Sequence, residues 1–109
     1  MRAKHTFIPE GLYQYVLCHS LREPAPLRDM RKRMVRHARS TMQTSPEVGQ
    51  LLAFLVRASG ARRCIEVGTF VGYSSTWMAL ALPASGRIVC CDVSEEWTRL
   101  AKALWRRAG

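Results

Sequence analysis

Two short apolar runs in the second half of the chain, separated by a helical stretch, limit its fold more than any other feature. Residues 64–67 (CIEV) and 87–92 (RIVCCD) are β-prone, while residues 72–83 and the stretch after Ser94 have helical composition. The order strand, helix, strand, helix implies a right-handed crossover between parallel strands. We therefore predict an α/β fold with parallel strands and flanking helices, in which residues 87–92 are buried on both faces.

The first sixty residues predict helices only. An apolar stripe begins after Pro9 and stops before an extended connector at 23–26, and a basic amphipathic helix follows over 27–42. Ser45 and the proline after it predict a third helix, capped by the serine side chain and ending at Gly60. Since two strands cannot organise a layered α/β core, residues 1–109 are predicted to be a single incomplete domain, with helices in 1–60 and β-α-β-α in 61–109.

Charge and hydropathy restrict the class of protein but do not select a partner. Seventeen Lys and Arg against eight Asp and Glu give 17 − 8 = +9, which suits nucleic acid, an anionic surface or half of a larger protein. No apolar run approaches the roughly 20 residues that cross a bilayer. The amino terminus has no apolar stretch typical of a signal peptide. We expect a cytoplasmic protein without membrane contact.

The cysteines and histidines do not indicate a metal site. There is no C-x-x-C or H-x-x-x-H spacing. Cys64, Cys90 and Cys91 lie in strand-like runs, where a free cysteine behaves as a small buried hydrophobe. We assign no metal ligand.

The junction between the first strand and its helix carries the chemistry. Residues 65–74 read IEVGTFVGYS, and Asp92 ends the next strand. In open α/β sheets ligands bind at this junction, and an acid at the tip of the second strand can accept hydrogen bonds from both hydroxyls of a ribose. The layout is that of a nucleoside-cofactor site.

The glycine spacing argues against a dinucleotide. A pyrophosphate loop has the spacing G-x-G-x-x-G, whereas here Gly68 and Gly72 are four residues apart and Glu66 precedes them. The pattern E-x-G-x-x-x-G resembles the first motif of class I S-adenosylmethionine-dependent methyltransferases. Taken alone, it is also compatible with a tight turn in any α/β protein.

Further segments, in the same order along nearly the whole chain, resemble the metal-dependent O-methyltransferases of the caffeoyl-CoA and catechol type. They are residues 12–15 (LYQY), 22–24 (REP), 42–52 (MQTSPEVGQLL), 66–74 (EVGTFVGYS) and 79–83 (ALALP). The resemblance implies the amino-terminal half of a Rossmann-like methyltransferase fold and an enzyme that transfers a methyl group from S-adenosylmethionine to a hydroxyl of a small catechol-like or phenolic acceptor. Because the family's ligands for a divalent cation (Mg²⁺) and its catalytic base lie in the other half, we assign no catalytic residue. We expect this truncated chain alone to be inactive.

The resemblance also implies the cofactor site. Thr44 would border the methionine end, Ser74 would bind the cofactor carboxylate and Asp92 would hold the ribose. The implied cofactor-binding residues are Thr44, Glu66, Gly68, Thr69, Ser74 and Asp92. Lys4 falls where some relatives contact the acyl substrate and is predicted to bind substrate. For each of the polar cofactor residues, a helix cap or a buried polar group is the alternative.

A second function class stays open. The chain could be a non-catalytic binding or regulatory fragment that uses the basic helix 27–42 to contact a partner or nucleic acid. That helix lacks the interleaved aromatic residues of a base-stacking platform, so we favour a solvated face and do not expect nucleic acid as a partner. A homodimer also stays open.

Overall fold

The computed structural model describes residues 7–109 and contains five α-helices, two strands and one short 3₁₀ helix within them. In chain order the elements are α1 (Glu10–Ser20), α2 (Ala25–Met34), the 3₁₀ helix (Ser40–Met42), α3 (Pro46–Ala58), β1 (Arg63–Val67), α4 (Tyr73–Ala81), β2 (Arg87–Cys91) and α5 (Glu95–Ala108). The predicted order of strands and helices after residue 61 is confirmed.

The two strands are parallel and in register, from Arg63 opposite Arg87 to Val67 opposite Cys91. Both carboxyl ends therefore lie at the same edge of the sheet. The backbone N–H of Gly68 donates to the carbonyl oxygen of Cys91 at 2.8 Å, which extends the pairing by one residue past β1. This register brings the turn after β1 next to Asp92, the residue after β2.

The core lies between the helices and one face of the sheet. Its central side chains come from α2, α3, α4, α5 and the turn after β1. They are Leu27, Met30, Met34, Ala53, Val56, Phe70, Val71, Tyr73, Trp77, Ala81 and Leu104. The spacing of Leu27, Met30 and Met34 at i, i+3 and i+7 explains how one face of an otherwise basic helix is buried.

The α3–α4 contact requires a glycine. A Cβ atom at Gly49 would lie 2.2 Å from Cδ1 and 2.4 Å from Nε1 of the Trp77 indole. The ring of Trp77 therefore packs directly on the backbone of α3. This close approach fixes α4, and hence the turn at its amino terminus, against α3.

The ends of α3 confirm one predicted cap and correct another. Gly60 adopts φ = +65° and its N–H donates to the carbonyl of Arg57 at 3.1 Å, as a glycine after a helix end does. Ser45 is the residue before the helix, but its side chain makes no capping hydrogen bond. The expectation of a serine cap is wrong; Pro46, which has no N–H to satisfy, occupies the first position.

The basic helix begins earlier than predicted. We expected 23–26 to be extended, whereas α2 starts at Ala25 and takes Pro26 into its first turn. A proline is tolerated there because the first N–H groups of a helix have no intrahelical partner.

The same helix also ends earlier than the predicted residue 42. After Met34 the chain forms tight turns, in which the N–H of His37 donates to Met34 and that of Ser40 to His37, both at 3.0 Å. The cations Arg31–Arg33 occupy the last turn of α2, where positive charge is favourable. The chain then turns towards the sheet edge instead of continuing as a helix.

One face of the sheet is uncovered in the part of the chain that the structure describes. The exposed fractions are 70% for Ile65, 83% for Val67 and 58% for Val89, and Cys91 is exposed as well. The prediction that β2 is buried on both faces, and Cys91 with it, is wrong for residues 7–109, because the helices lie on the other face. No helix in this range is long and apolar enough to span a membrane.

Candidate cofactor-binding site

The turn between β1 and α4 has an unusual backbone. Gly68 and Gly72 have φ of +91° and +81°, and Phe70 between them has φ = +50°. Glycine adopts this region without strain, whereas a phenylalanine there is uncommon and must be held by its surroundings. The N–H of Gly72 donates to the carbonyl of Thr69 at 2.9 Å and closes the turn.

Asp92 holds this turn in place. Its Oδ2 accepts hydrogen bonds from the backbone N–H groups of Thr69 at 2.9 Å and Phe70 at 2.7 Å, and its Oδ1 accepts one from Ser94 at 2.9 Å. These backbone donors, Ser94 and Phe70 first, hold the pKa of the Asp92 carboxyl below its usual value. A carboxylate has about four acceptor positions, and Oδ1 accepts only one of these three hydrogen bonds, so it has the capacity to accept a further one from a ligand.

Phe70 is fixed by aromatic contacts that the sequence did not reveal. Its ring meets Trp97 edge to face at 5.1 Å and His37 at 6.0 Å between centroids. The guanidinium of Arg39 lies 5.9 Å from the centre of the Trp97 ring. Trp97 is thus partly buried against the turn.

The two glycines of the turn have different surroundings. A Cβ at Gly72 would lie 2.9 Å from Cβ of Ala101 and 3.0 Å from Nε1 of Trp105, so Gly72 allows α5 to approach. A Cβ at Gly68 would meet nothing within 4 Å. Gly68 is exposed, and the space above its backbone is open to a ligand.

Glu66, the fourth residue of β1, points to the helix-covered face and accepts a hydrogen bond from the hydroxyl of Ser74 on Oε1. Its Oε2 is buried and makes no hydrogen bond of normal geometry within residues 7–109. Burial raises the pKa of the Glu66 carboxyl, an effect that the hydroxyls of Ser74 and Ser75 reduce and the negative charge of Asp92 increases. The site therefore contains a buried acceptor in need of a donor or a cation.

A small cavity of about 30 Å³ opens beside Gly68 and is lined by residues of the turn and by the segment before α3. The sequence-predicted residues Thr44, Gly68, Thr69 and Ser74 all line it. Gln43, whose side chain sequence reasoning did not single out, also lines it and is buried.

The structure thus brings together all six predicted cofactor-binding residues. Four line the cavity, Glu66 joins them through Ser74, and Asp92 joins them through the backbone of Thr69. Lys4, the predicted substrate-binding residue, lies outside the described residues. Within 7–109 there is no group of three or more His, Cys, Asp or Glu side chains arranged to hold a metal ion.

Comparison with known proteins shows which families share this sequence. A family model described as O-methyltransferase matches residues 18–109. Catechol O-methyltransferase domain-containing protein 1 of Mus musculus is 39% identical over 97 residues, which are 89% of this chain and 37% of that protein. Caffeoyl-CoA O-methyltransferase 2 of Petunia hybrida is 36% identical over 102 residues, 92% of this chain and 42% of the relative.

Solved structures share the fold as well. An O-methyltransferase from Bacillus cereus in complex with SAH has a TM-score of 0.81 at 31% identity, over 90% of this chain and 44% of that one. An O-methyltransferase of tomaymycin synthesis from Streptomyces achromogenes, in complex with SAM, has a TM-score of 0.78 at 31% identity, over 91% and 44% of the two chains. The chain spans less than half the length of these relatives. None of them supports the alternative of a non-catalytic binding fragment.

Proposed function

Since the chain belongs to the O-methyltransferase family, we propose that its turn between β1 and α4 binds S-adenosylmethionine for methyl transfer to a hydroxyl group. The observation that carries this proposal is the pair of carboxylates bonded to this turn and to the helix after it. Asp92 accepts from the backbone of Thr69 and Glu66 accepts from Ser74, and the space above the backbone of Gly68 is open. The O-methyltransferases of Bacillus cereus and Streptomyces achromogenes, whose structures contain SAH and SAM, share this fold.

The charges at this site fit the proposed ligand. The chain carries a net charge of +9, yet two acidic side chains lie at this edge of the sheet: Glu66 near the end of β1 and Asp92 directly after β2. These two carboxylates would attract the positively charged sulfonium and ammonium groups of S-adenosylmethionine, whereas they would repel a pyrophosphate. The buried Oε2 of Glu66 has no hydrogen bond of normal geometry among the described residues, so a donor from a ligand would relieve the cost of burying it.

Each polar residue has a proposed task. Asp92 would accept a hydrogen bond from a ribose hydroxyl on Oδ1 and keep the turn rigid through Oδ2. Ser74, in the first turn of α4, would turn its single O–H from Glu66 to the carboxylate of the methionine portion, where the helix N-terminus also favours an anion. Glu66, released from that bond, would bind the amino group of the same portion. Thr44 and the backbone of Thr69 would line the same end. When bound, S-adenosylmethionine supplies an electrophilic methyl group.

Finer features rest on the resemblance. We propose a small catechol-like or phenolic acceptor, and a divalent cation that ligands outside residues 7–109 would hold to lower the acceptor's hydroxyl pKa. Because the resemblance implies that the cation ligands and the base lie in the other half of the family's fold, the 109 residues alone are proposed not to turn over. A catechol methylation assay on the purified chain with Mg²⁺ tests this, and turnover would contradict it. The homodimer and the cytoplasmic location stay predictions.

Titration of S-adenosylmethionine into the chain by calorimetry tests cofactor binding. We expect saturable binding by the wild type and at least about tenfold weaker binding by Asp92→Asn, which is a loss of about 1.4 kcal/mol. Asp29→Asn is the control, because Asp29 pairs with Arg107 at the surface and is not part of the turn. Absence of binding, or equal affinity of the wild type and Asp92→Asn, would overturn the proposal.

A further inference from the structure

A buried ion pair lies behind the candidate site and has no part in the function proposed so far. Glu23, between α1 and α2, accepts hydrogen bonds from Arg31 Nε on both oxygens, at 2.9 and 3.1 Å, and from a terminal nitrogen of Arg31 at 2.6 Å. The two side chains are 3% and 16% exposed, respectively. The phenol of Tyr73 donates a further hydrogen bond to Glu23.

Such a pair is weak evidence of a role in stability. Removing two charges from water can cost more than their attraction returns, and apolar side chains of similar volume often replace a buried pair without loss of stability. The pair does, however, fix the orientation of the Glu23 carboxylate. A carboxylate held by a bidentate guanidinium cannot rotate, so its third donor, the Tyr73 phenol, is held with it.

Tyr73 connects this pair to the candidate site. It is the first residue of α4, directly after Gly72, whose φ is +81°, and directly before Ser74, whose hydroxyl reaches Glu66. Tyr73 is buried and also lines the small cavity beside Gly68. Burial and the bond to Glu23 raise the pKa of its phenol, so it stays a protonated donor. Glu23 is therefore bonded to the residue directly before Ser74 in the first turn of α4.

We infer that Glu23 and Arg31 are positioning residues for the methionine end of the cofactor and act through Tyr73 on Ser74. This inference rests on the proposed function. It concerns one end of the ligand only, because the ribose end depends on Asp92, which is bonded to the turn and to Ser94 and not to Tyr73.

The test compares two ligands by calorimetry on the full chain. SAH carries the amino and carboxyl groups of the methionine portion, and adenosine lacks them. For Tyr73→Phe we expect about tenfold weaker SAH binding, because Ser74 loses the neighbouring bond that positions it before the ligand binds, and adenosine binding within about twofold of the wild type. Tyr13→Phe is the control: Tyr13 is also buried and donates to a carboxylate, Glu47 Oε2 at 2.9 Å, but does so from α1 to α3.

A triple variant separates positioning from stability. Glu23→Leu with Arg31→Met removes both charges at similar volume, and Tyr73→Phe in the same chain avoids a buried phenol without an acceptor. We therefore expect near wild-type thermal stability together with the same selective loss of SAH affinity. Equal losses for both ligands, an equal SAH loss in Tyr13→Phe, or full SAH affinity in the triple variant would overturn the inference and leave the proposed function intact. A wild-type chain that binds neither ligand would contradict both.

Discussion

Two glycines with positive φ, one at the candidate site and one away from it, provide a matched test of the site. Gly68 follows β1 at φ = +91° and Gly60 follows α3 at φ = +65°, and a Cβ at either position would meet nothing within 4 Å. An alanine at either place therefore causes no clash, but it must adopt a left-handed conformation. That costs an L-residue roughly 1–2 kcal/mol.

Gly68→Ala and Gly60→Ala are thus expected to lower the free energy of unfolding by similar amounts. For a chain of this size the corresponding fall in Tm is roughly 5–10 °C, measurable by circular dichroism. The two variants should differ in ligand binding. The new methyl group at residue 68 would occupy the open space above the turn, where we place the cofactor, whereas residue 60 lies at the far end of α3.

Calorimetric titration with SAH is the assay, at a temperature at which both variants are folded. We expect Gly68→Ala to bind SAH at least about tenfold more weakly than the wild type, and Gly60→Ala to bind within about twofold. Wild-type affinity in Gly68→Ala would refute the placement of the ligand over this glycine. Equal losses in both variants would attribute the effect to strain alone.

Three further results are expected. Because burial raises the Glu66 pKa above 4.5, the folded state binds more protons than the unfolded state, and the free energy of unfolding should fall as pH rises from 4.5 through the folded pKa. Urea titrations should show a smaller fall for Glu66→Gln than for the wild type. An equal fall in the two proteins would contradict this. Gly49→Ala should lower the unfolding free energy by about 1–3 kcal/mol because Trp77 must move, and an unchanged thermal midpoint would refute that contact. Ile65→Thr with Val89→Thr should reduce binding of an apolar dye to the uncovered sheet face, and equal fluorescence would contradict its exposure in solution.

The element order was predictable because it follows from local patterns. Apolar runs of strand length, Gly60 after a helix and the glycines of the turn after β1 each indicate structure through their immediate neighbours in sequence. The end of α2 was not predictable in this way. Its amphipathic pattern continues past Met34, whereas the chain turns there and brings His37 against Phe70, a contact between distant residues.

The site was predictable in its members but not in its contacts. Spacing placed Asp92 beside the turn, yet it gave no sign that three backbone N–H groups already occupy the carboxylate. The left-handed Phe70 could not be foreseen either, because that conformation depends on Asp92 and on the aromatic rings of His37 and Trp97. The bond from Tyr73 to Glu23 spans fifty residues, and no periodicity reports such a pair.

A crystal structure of the chain with SAH would examine most directly whether this turn is a cofactor site. We expect a ribose hydroxyl within hydrogen-bond distance of Asp92 Oδ1 and the amino group of the methionine portion beside Glu66 Oε2. The ligand should lie over the backbone of Gly68. Ligand bound elsewhere, or bound here with its ribose turned away from Asp92, would contradict the proposed function.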